Sequence, residues 1–287
     1  LRDKLIYPNA SRIFYIKGAF SVGMTNKDIY DLTKIDPWFL DQLRELYDFE
    51  KTITTPLNKE TLRQAKEQGF SDRFLAQLLA CKEQDIVALR KTWGICPVYK
   101  MVDTCAAEFK AVTPYYYSSY DGQSDVVPTN RDTIMVLCGG PNRIGQGIEF
   151  DYCCGHASLA IRESGLQSIM VNSNPETVST DYDISDRLFF EPLTFEDVMS
   201  IIDSEKPKGV IVQFGGQTPL KLANQLLEAG APIIGTSPRS INIAEDRELF
   251  GNLVNKLGLL QPENGMARNL DEAFGVVDRI GFPVVVR

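Results

Sequence analysis

The chain has 287 residues, 44% of them hydrophobic and 24% charged; at roughly 150 residues per domain, this length predicts about two globular domains. The composition excludes a disordered tail, a collagen-like rod and a disulfide-dense mini-protein, and no apolar run approaches the roughly 20 residues that span a bilayer. A net charge of −8 argues against nonspecific binding to nucleic acid or to an anionic membrane. The single histidine, His156, excludes any site within this chain that needs two imidazoles.

The first half of the sequence predicts a bundle of short helices. Each predicted helix begins near a residue that can cap its backbone N–H groups, such as Ser11 or Asp36, and several end at glycine, such as Gly94. The helices are expected at Arg12–Phe20, Lys27–Leu32, Trp38–Phe49, Asn58–Gln68, Ser71–Leu79 and Glu83–Trp93, with extended segments between residues 97 and 120. In the third helix the apolar spacing predicts one buried face, made of Phe39, Leu40, Leu43, Leu46 and Tyr47.

The second half alternates strand and helix, which predicts a doubly wound parallel sheet with right-handed crossovers. Its strands are apolar throughout, as expected where both faces of a sheet are covered: Thr133–Cys138, Ser168–Asn172, Gly209–Phe214 and Pro232–Gly235. Helices are expected at Glu149–Ser164, Thr194–Ser204, Leu220–Ala229 and Pro238–Ala244. A further unit comprises helices at Asp246–Leu257 and Leu270–Ile280 and a strand at Val284–Val286.

The boundary between the two halves is predicted within residues 118–130, which are rich in Ser, Asp, Gly, Asn and Pro. Residues 1–127 carry 17 basic and 17 acidic side chains, so the whole net charge of −8 falls on the remainder. The chain starts at Leu1 without an initiator methionine, and it stops directly after a predicted core strand. We therefore expect a fragment of a longer protein.

Polar, glycine-bearing loops follow the predicted strands, at the edge where open α/β sheets bind ligands. The loop Gly139–Gly147 leads into a helix, where backbone N–H groups can receive an anion. It is neither a Walker loop nor the G-x-G-x-x-G dinucleotide fingerprint, and tight turns alone would equally account for its glycines. The loops Asn172–Asp181, Gly215–Pro219 and Thr236–Pro238 occupy the same edge, so Glu176 and Asp181 are expected to face a charged or polar channel.

The remaining reactive side chains favour structural roles. The six cysteines lack the spacing of zinc or redox motifs, so reduced, buried thiols of a cytosolic protein are expected. His156 lies among apolar neighbours in a predicted helix and is expected to be packed or capping rather than a ligand. Trp38 and Trp93 are predicted to be core or interface anchors.

Several long motifs resemble the middle of the large subunit of carbamoyl phosphate synthetase, and the resemblance extends over essentially the whole chain. The motifs are Arg12-Ile-Phe-Tyr-Ile-Lys17, Thr33-Lys-Ile-Asp-Pro-Trp-Phe-Leu40, Pro97-Val-Tyr-Lys100, Val102-Asp-Thr-Cys-Ala-Ala-Glu-Phe109, Gly139-Gly-Pro-Asn-Arg-Ile-Gly-Gln-Gly-Ile-Glu-Phe-Asp-Tyr-Cys-Cys154, Asn174-Pro-Glu-Thr-Val-Ser-Thr-Asp181 and Gly215-Gly-Gln-Thr-Pro-Leu-Lys221. Cys138 departs from the family, which has a glycine there, and a small thiol should be tolerated if φ is negative.

This resemblance implies a helical oligomerisation domain over residues 1–127 and a doubly wound, parallel-sheet pre-ATP-grasp α/β domain over residues 128–245. Residues 246–287 would be the truncated start of an ATP-grasp region. The family makes carbamoyl phosphate from bicarbonate, ATP and ammonia released from glutamine, for pyrimidine and arginine biosynthesis. The implied partners are a glutamine amidotransferase subunit or domain and further copies of the chain, without nucleic acid or membrane. The implied location is the cytoplasm.

The resemblance carries few site residues onto this chain. Gly147 and Glu176 match positions that line the carbamate tunnel, and Arg287 matches an arginine that contacts nucleotide phosphates, a role that suits a guanidinium. The ATP-covering loop and the metal-binding carboxylates would lie beyond Arg287. ATP with Mg²⁺ or Mn²⁺ is therefore implied for the parent enzyme. No catalytic residue, metal or bound cofactor, and no synthesis of carbamoyl phosphate, is expected for these residues alone.

Two other interpretations remain open at this point. The helical half could act as a stand-alone self-association module through aromatic residues such as Trp38, Phe39 or Trp93. Alternatively, the α/β half could be a nucleotide-binding Rossmann-like domain, although it lacks the fingerprint and the acidic ribose-binding residue in register.

Overall fold

The computed structural model describes residues 1–140 and 148–286 of the chain. These residues form two compact units. The helical unit comprises residues 1–98 and 118–124, and the α/β unit comprises residues 99–117 and the chain from residue 125 onward. The segment 118–124 therefore belongs to the helical unit, although the strand that precedes it pairs in the sheet of the α/β unit.

Seven helices make up the helical unit: α1 (Arg2–Ile6), α2 (Arg12–Ser21), α3 (Asn26–Thr33), α4 (Pro37–Glu50), α5 (Lys59–Glu67), α6 (Asp72–Leu78) and α7 (Glu83–Trp93). Thr25, Asp36, Asn58 and Ser71 accept hydrogen bonds from the first backbone N–H groups of α3 to α6, which confirms these predicted starts. Ser11 precedes α2 as predicted, but its side chain makes no capping hydrogen bond. Helix α7 ends at Gly94 in the left-handed conformation, with φ of 67°. Only the five-residue α1 lacked a sequence signal.

The helices enclose two small apolar cores. One contains Leu5, Ile16, Ala19, Phe20, Ile29 and Leu40. The other contains Ile53, Leu62, Ala65, Leu75, Ala76, Ile86 and Ile95. The predicted face of α4 was partly wrong, because Leu40 is fully buried and Leu43 and Tyr47 are half-buried, whereas Phe39 and Leu46 are exposed. The buried stripe is thus narrower than the apolar spacing suggested, and Phe39 is left on the surface.

A buried cluster of ionised side chains links α5, α6 and α7. The Arg90 Nε donates to Asp72 Oδ1 at 2.8 Å, and its Nη2 donates to Asp72 Oδ2 at 2.6 Å. The Lys66 Nζ lies 3.1 Å from Asp72 Oδ1 and donates to the Phe70 carbonyl oxygen at 2.6 Å. The three side chains are at most 6% exposed. One carboxylate thus offsets two cations in the interior, where ions are costly unless paired.

The sheet of the α/β unit has seven strands: β1 (Val98–Met101), β2 (Tyr115–Ser119), β3 (Thr133–Leu137), β4 (Gln167–Val171), β5 (Arg187–Phe189), β6 (Gly209–Ile211) and β7 (Ile233–Ile234). Their order is β1-β2-β5-β4-β3-β6-β7, and the pairs β2–β5, β5–β4, β4–β3, β3–β6 and β6–β7 are parallel. The predicted doubly wound parallel sheet is confirmed. The extended segments expected between residues 97 and 120 are its strands β1 and β2, whereas β5 was not predicted from the sequence.

Both faces of this sheet are buried. Met135 and Leu137 of β3 point into one apolar cluster, which also holds Ile169 and Val171 of β4. Ile134 and Val136 point into the opposite cluster. Because side chains alternate along a strand, apolar residues at every position require cover on both sides. That cover includes α8 (Glu149–Glu163), α9 (Phe195–Glu205) and α10 (Gln217–Glu228).

Beyond β7 the chain continues in α11 (Pro238–Glu245), α12 (Arg247–Lys256) and α13 (Leu270–Ile280), as predicted. Helix α13 has no buried residue. The strand expected at Val284–Val286 is not formed: no strand within the described part of the chain includes these residues, and Val285 and Val286 are 95% and 89% exposed. Three valines favour an extended chain, but a strand requires a neighbour for its backbone hydrogen bonds.

Among the described residues, no helix is both long and apolar enough to cross a membrane.

Replacing Asp72 with asparagine is expected to lower the free energy of unfolding of the helical unit by about 3–5 kcal/mol, because Arg90 and Lys66 would lose the negative charge that faces them. Urea titration followed by tryptophan fluorescence measures this unit, since Trp38 and Trp93 are the only tryptophans of the chain and both belong to it. The control is Asp31→Asn, whose pair with Lys34 is exposed and spans 4.0 Å, so its loss should be under about 1 kcal/mol. Equal losses in the two variants would contradict this account.

Candidate functional site

The polar loops that follow β3, β4 and β6 meet at one edge of the sheet. Because these strands run parallel, their carboxyl ends lie at the same edge. Contact between the loops is direct. A Cβ atom added to Gly140, after β3, would lie 3.0 Å from the Ser173 Oγ after β4, and one added to Gly215, after β6, would lie 2.4 Å from the Leu137 carbonyl oxygen. At Gly215, backbone therefore packs on backbone.

The closer of these two approaches is at Gly215. Besides the Leu137 carbonyl, an added Cβ would lie 2.6 Å from the Pro219 Cγ and 2.7 Å from the Cys138 carbonyl carbon. The next residue, Gly216, has φ of 72° and precedes α10 with the ring of Phe150 beside it. The first glycine lets the β6 loop approach β3, and the second adopts the positive φ, unfavourable for other residues, with which the chain enters the helix. The glycines of this loop thus have a packing role.

A buried hydrogen-bond network shapes the loop after β4. Asp151 of α8 accepts hydrogen bonds from both the backbone N–H and the hydroxyl of Ser179. The same hydroxyl accepts from the Asn172 Nδ2 at 3.1 Å, and Asn172 Oδ1 in turn accepts from the backbone N–H of Asn174 at 3.1 Å. Asp151, Asn172 and Ser179 are all buried. The network therefore ties the loop to the start of α8 without using a group that faces solvent.

Glu176 is the last residue in this series of hydrogen bonds. Its backbone N–H donates to Asn174 Oδ1 at 3.1 Å, while its side chain is exposed. The backbone is thus held and the carboxylate is presented at the edge of the sheet. Gly147 and Arg287, the other two site residues inferred from the sequence, lie outside the described residues.

The sequence reasoning did not assign a role to Asp151 or Ser179, which lie 28 residues apart. Asp151 falls in a helix and Ser179 in a loop, and no local pattern pairs them. The only available signal was that both belong to the long family-like motifs.

Two buried thiols lie at the carboxyl end of β3: Cys138 directly follows this strand, and the Cys154 Sγ lies 3.9 Å from the Leu137 carbonyl oxygen. Cys138 and Cys154 are completely buried, and the Cys138 thiol lies 2.9 Å from the Met170 sulfur. Burial raises the pKa of Cys138 well above its usual value, and the neighbouring Cys154 thiol adds to this effect. Cys138 is absent from the residues with positive φ, so a side chain at this position is accommodated without backbone strain.

The general expectation of buried cysteines holds for only two of the six, Cys138 and Cys154, and Cys105 is half-buried. All six are free thiols, but Cys81, Cys96 and Cys153 are exposed. His156 is also exposed rather than packed in the core, and its ring lies 4.2 Å from that of Tyr152, one helical turn earlier. Helical position alone did not reveal which face α8 turns to solvent.

No group of three or more His, Cys, Asp or Glu side chains within residues 1–140 and 148–286 is placed to hold a metal ion. This edge of the sheet presents the exposed carboxylate of Glu176, which can contact a polar molecule.

Comparison with known proteins identifies both parts of the chain. Residues 130–243 match the family described as the carbamoyl phosphate synthase preATP-grasp domain. Residues 1–94 match the family described as the carbamoyl-phosphate synthetase large chain, oligomerisation domain. These two ranges fall in the α/β unit and the helical unit respectively.

Full-length relatives align along the whole chain. It is 55% identical to the carbamoyl phosphate synthase large chain of Archaeoglobus fulgidus, 57% to that of Rhodopirellula baltica and 58% to that of Vibrio parahaemolyticus. Each alignment covers 100% of this chain and 27% of the relative. The chain thus spans about a quarter of the length of the curated relatives that it matches.

Solved structures give more distant likenesses. The N5-carboxyaminoimidazole ribonucleotide synthetase of Thermus thermophilus is 19% identical, with a TM-score of 0.40 over 52% of this chain and 37% of that one. The biotin carboxylase domain of a single-chain bacterial carboxylase is 16% identical, with a TM-score of 0.38 over 52% of this chain and 34% of that one.

Replacing Gly215 with alanine is expected to destabilise the α/β unit by about 1–3 kcal/mol, because the new methyl group would overlap the backbone of β3. The measurement is urea-induced loss of far-UV circular dichroism. Gly155→Ala is the matched control in the same unit, since an added Cβ there meets only Ile184 Cγ2, at 3.9 Å. Unchanged stability of the Gly215 variant would show that the loop can move away from β3 at little cost.

Proposed function

The chain belongs to the carbamoyl phosphate synthase large-chain family, and from this premise we propose that it contributes a scaffold to the synthesis of carbamoyl phosphate. Its α/β unit would line part of the route along which an unstable intermediate travels, and its helical unit would join copies of the enzyme. The observation that carries the proposal is the 55–58% identity to large chains along the whole of these 287 residues. A cytosolic location belongs to the same proposal, in keeping with six free thiols.

We propose an oligomerisation domain within residues 1–127, a pre-ATP-grasp domain over residues 128–245 and the start of an ATP-grasp region over residues 246–287. Within the first range, residues 99–117 belong to the α/β unit, because they supply strands to its sheet. The family matches support the first two assignments over residues 1–94 and 130–243. The third rests on the exposed apolar side chains of the last helices, among them Phe250, Leu253, Leu270 and Phe274. Such surfaces suit a segment that packs against further protein.

ATP and a divalent cation belong, in this proposal, to the complete enzyme. They would supply the phosphoryl group and the charge that stabilises its transfer. The residues of this chain are assigned positioning and not chemistry. The glutamine amidotransferase is likewise proposed as a partner of the complete enzyme.

Glu176 is the residue of this chain that we propose to line the route of the intermediate. Its backbone is held by the Asn172–Asn174 turn while its carboxylate is free to face a passing polar molecule. A carboxylate that lines a transfer route affects delivery of the intermediate rather than the reaction that forms it. Loss of this group should therefore separate ATP consumption from product formation.

In the complete enzyme with its glutaminase, Glu176→Gln is expected to lower carbamoyl phosphate formation about tenfold and to leave bicarbonate-dependent ATP cleavage within about twofold. The two rates are measured in parallel by coupled assays. The matched control is Glu163→Gln, an exposed glutamate at the last turn of α8, far along the helix from the loop edge. The isolated 287-residue chain serves as a blank that should show no turnover. Parallel loss of both rates, or none, would contradict the proposed role.

A second function, self-association through the helical unit, is favoured by one observation. Trp38 and Phe39 are 61% and 57% exposed at the start of α4, and their rings contact each other edge to face at 5.0 Å. Exposed aromatic pairs of this kind commonly anchor protein interfaces. Trp93, the third aromatic residue considered for this surface, instead packs against the Leu62 and Ile86 core.

The double variant Trp38→Ala/Phe39→Ala is expected to weaken self-association by about 2 kcal/mol, or roughly thirtyfold in Kd. Sedimentation over graded concentrations of the 287-residue chain measures this constant. Tyr182→Ala removes a similarly exposed aromatic side chain from the α/β unit and should leave the constant unchanged. A strictly monomeric unmodified chain at high micromolar concentration would count against the proposal.

A further inference from the structure

One exposed segment of the α/β unit carries a reactive dipeptide that the proposed function does not use. Asn264-Gly265 is the only Asn-Gly sequence in the 287 residues. It lies in the irregular stretch between α12 and α13, and both residues are exposed. An asparagine before glycine is chemically distinctive because no side chain on the following residue shields the backbone nitrogen.

The attacking nitrogen is available in the folded chain. The backbone N–H of Gly265 donates no hydrogen bond within the described part of the chain. The Asn264 Nδ2 donates only locally, to the Pro262 carbonyl oxygen at 3.0 Å, and this contact is exposed. Little structure must therefore be broken before the Gly265 nitrogen can reach the Asn264 Cγ.

Packing accounts for the glycine at this position. A Cβ added to Gly265 would lie 2.7 Å from both Cγ atoms of Val276 and 2.8 Å from the Arg279 Nη2. The approach of the segment to α13 thus requires the residue that also makes Asn264 reactive. Arg279 reinforces the approach by donating from its Nη2 to the Asn264 carbonyl oxygen at 3.0 Å.

We propose that Asn264 is a site of spontaneous deamidation and isomerisation in the folded protein. The Gly265 nitrogen loses its proton and attacks the Asn264 Cγ, forming a new C–N bond. The bond from Cγ to Nδ2 breaks, and ammonia leaves with that proton. Water then opens the five-membered succinimide at either carbonyl, giving aspartate or isoaspartate. The sequence of steps needs no oxidant, reductant or metal.

Either product changes the contact with α13. Aspartate places a new negative charge beside the Arg279 guanidinium, which already contacts the same residue. Isoaspartate routes the main chain through the former side chain and adds one methylene to it, so the carbonyl that Arg279 binds is displaced. The reaction would therefore alter how the segment before α13 is held against that helix.

The test is peptide mapping of the folded 287-residue chain during incubation at mildly alkaline and mildly acidic pH. We expect a mass gain of about 1 Da confined to the Asn264 peptide, together with isoaspartate detected by enzymatic methyl transfer. Because the Gly265 amide must be deprotonated, the rate should be about tenfold or more higher at the alkaline pH. Equal rates at the two pH values would overturn the mechanism.

Asn130 provides a comparison in the same digest. It is also exposed in a loop, but it precedes Arg131, whose backbone N–H donates to Thr129 Oγ1 at 3.1 Å. Its reaction should be at least about tenfold slower. Asn264→Gln should abolish the signal, since closure would require a six-membered ring. Equal rates at Asn130 and Asn264, or a signal that persists in the glutamine variant, would overturn the assignment.

A urea-denatured sample tests whether the fold permits the reaction. The folded chain should react at a rate within about tenfold of the denatured chain. Reaction that occurs only after denaturation would show that the fold shields Asn264 and would overturn the proposal. These outcomes do not depend on carbamoyl phosphate synthesis, because every readout is chemical and is made on the chain alone.

Discussion

Parallel pairing of β3 with β4 on one side and β6 on the other is the constraint on which the α/β unit depends. It places three carboxyl ends at one edge, so loops that are far apart in sequence must share the same space. The glycines after β3 and β6 are the consequence. At Gly215 the neighbouring backbone lies where any side chain would begin, so the loop is shaped by the sheet as much as by its own residues. The Asp151–Ser179 hydrogen bonds then hold the third loop in place.

The helical unit depends on contacts between its helices for stability. Its helices are too short to be stable alone, and its apolar cores are small. The buried cluster of Asp72, Arg90 and Lys66 joins three of the helices at the edge of one core. Such a cluster adds little net free energy, but each member becomes costly to remove once the others are buried. The exposed Trp38 and Phe39 lie on α4, whose buried stripe contributes to the other core.

The sequence predicted those features that depend on residues close together in the chain. The caps Thr25, Asp36, Asn58 and Ser71 act within three residues, and all four predicted helix starts were confirmed. Strands β3 and β4 were found because a short, unbroken apolar run is typical of a strand that is covered on both faces. In contrast, the three-residue β5 was missed, and Val284–Val286 was assigned a strand that no described segment pairs with. For the candidate site, the shared edge and Glu176 were inferred from the sequence, whereas the network that holds Glu176 was not.

By itself, the sequence determined the alternation of elements, the parallel class of the sheet and membership of the carbamoyl phosphate synthase large-chain family, because periodicity, capping and long motifs are written in consecutive residues. Only the tertiary structure decided which side chains meet: that Asp151 binds Ser179, that Gly215 must lack a Cβ, and that Phe39 is exposed. It also decided that the Gly265 amide finds no acceptor among the described residues. The physical reason is that burial and hydrogen bonding are properties of neighbours in space. Residues that lie far apart in sequence become such neighbours only when the chain folds.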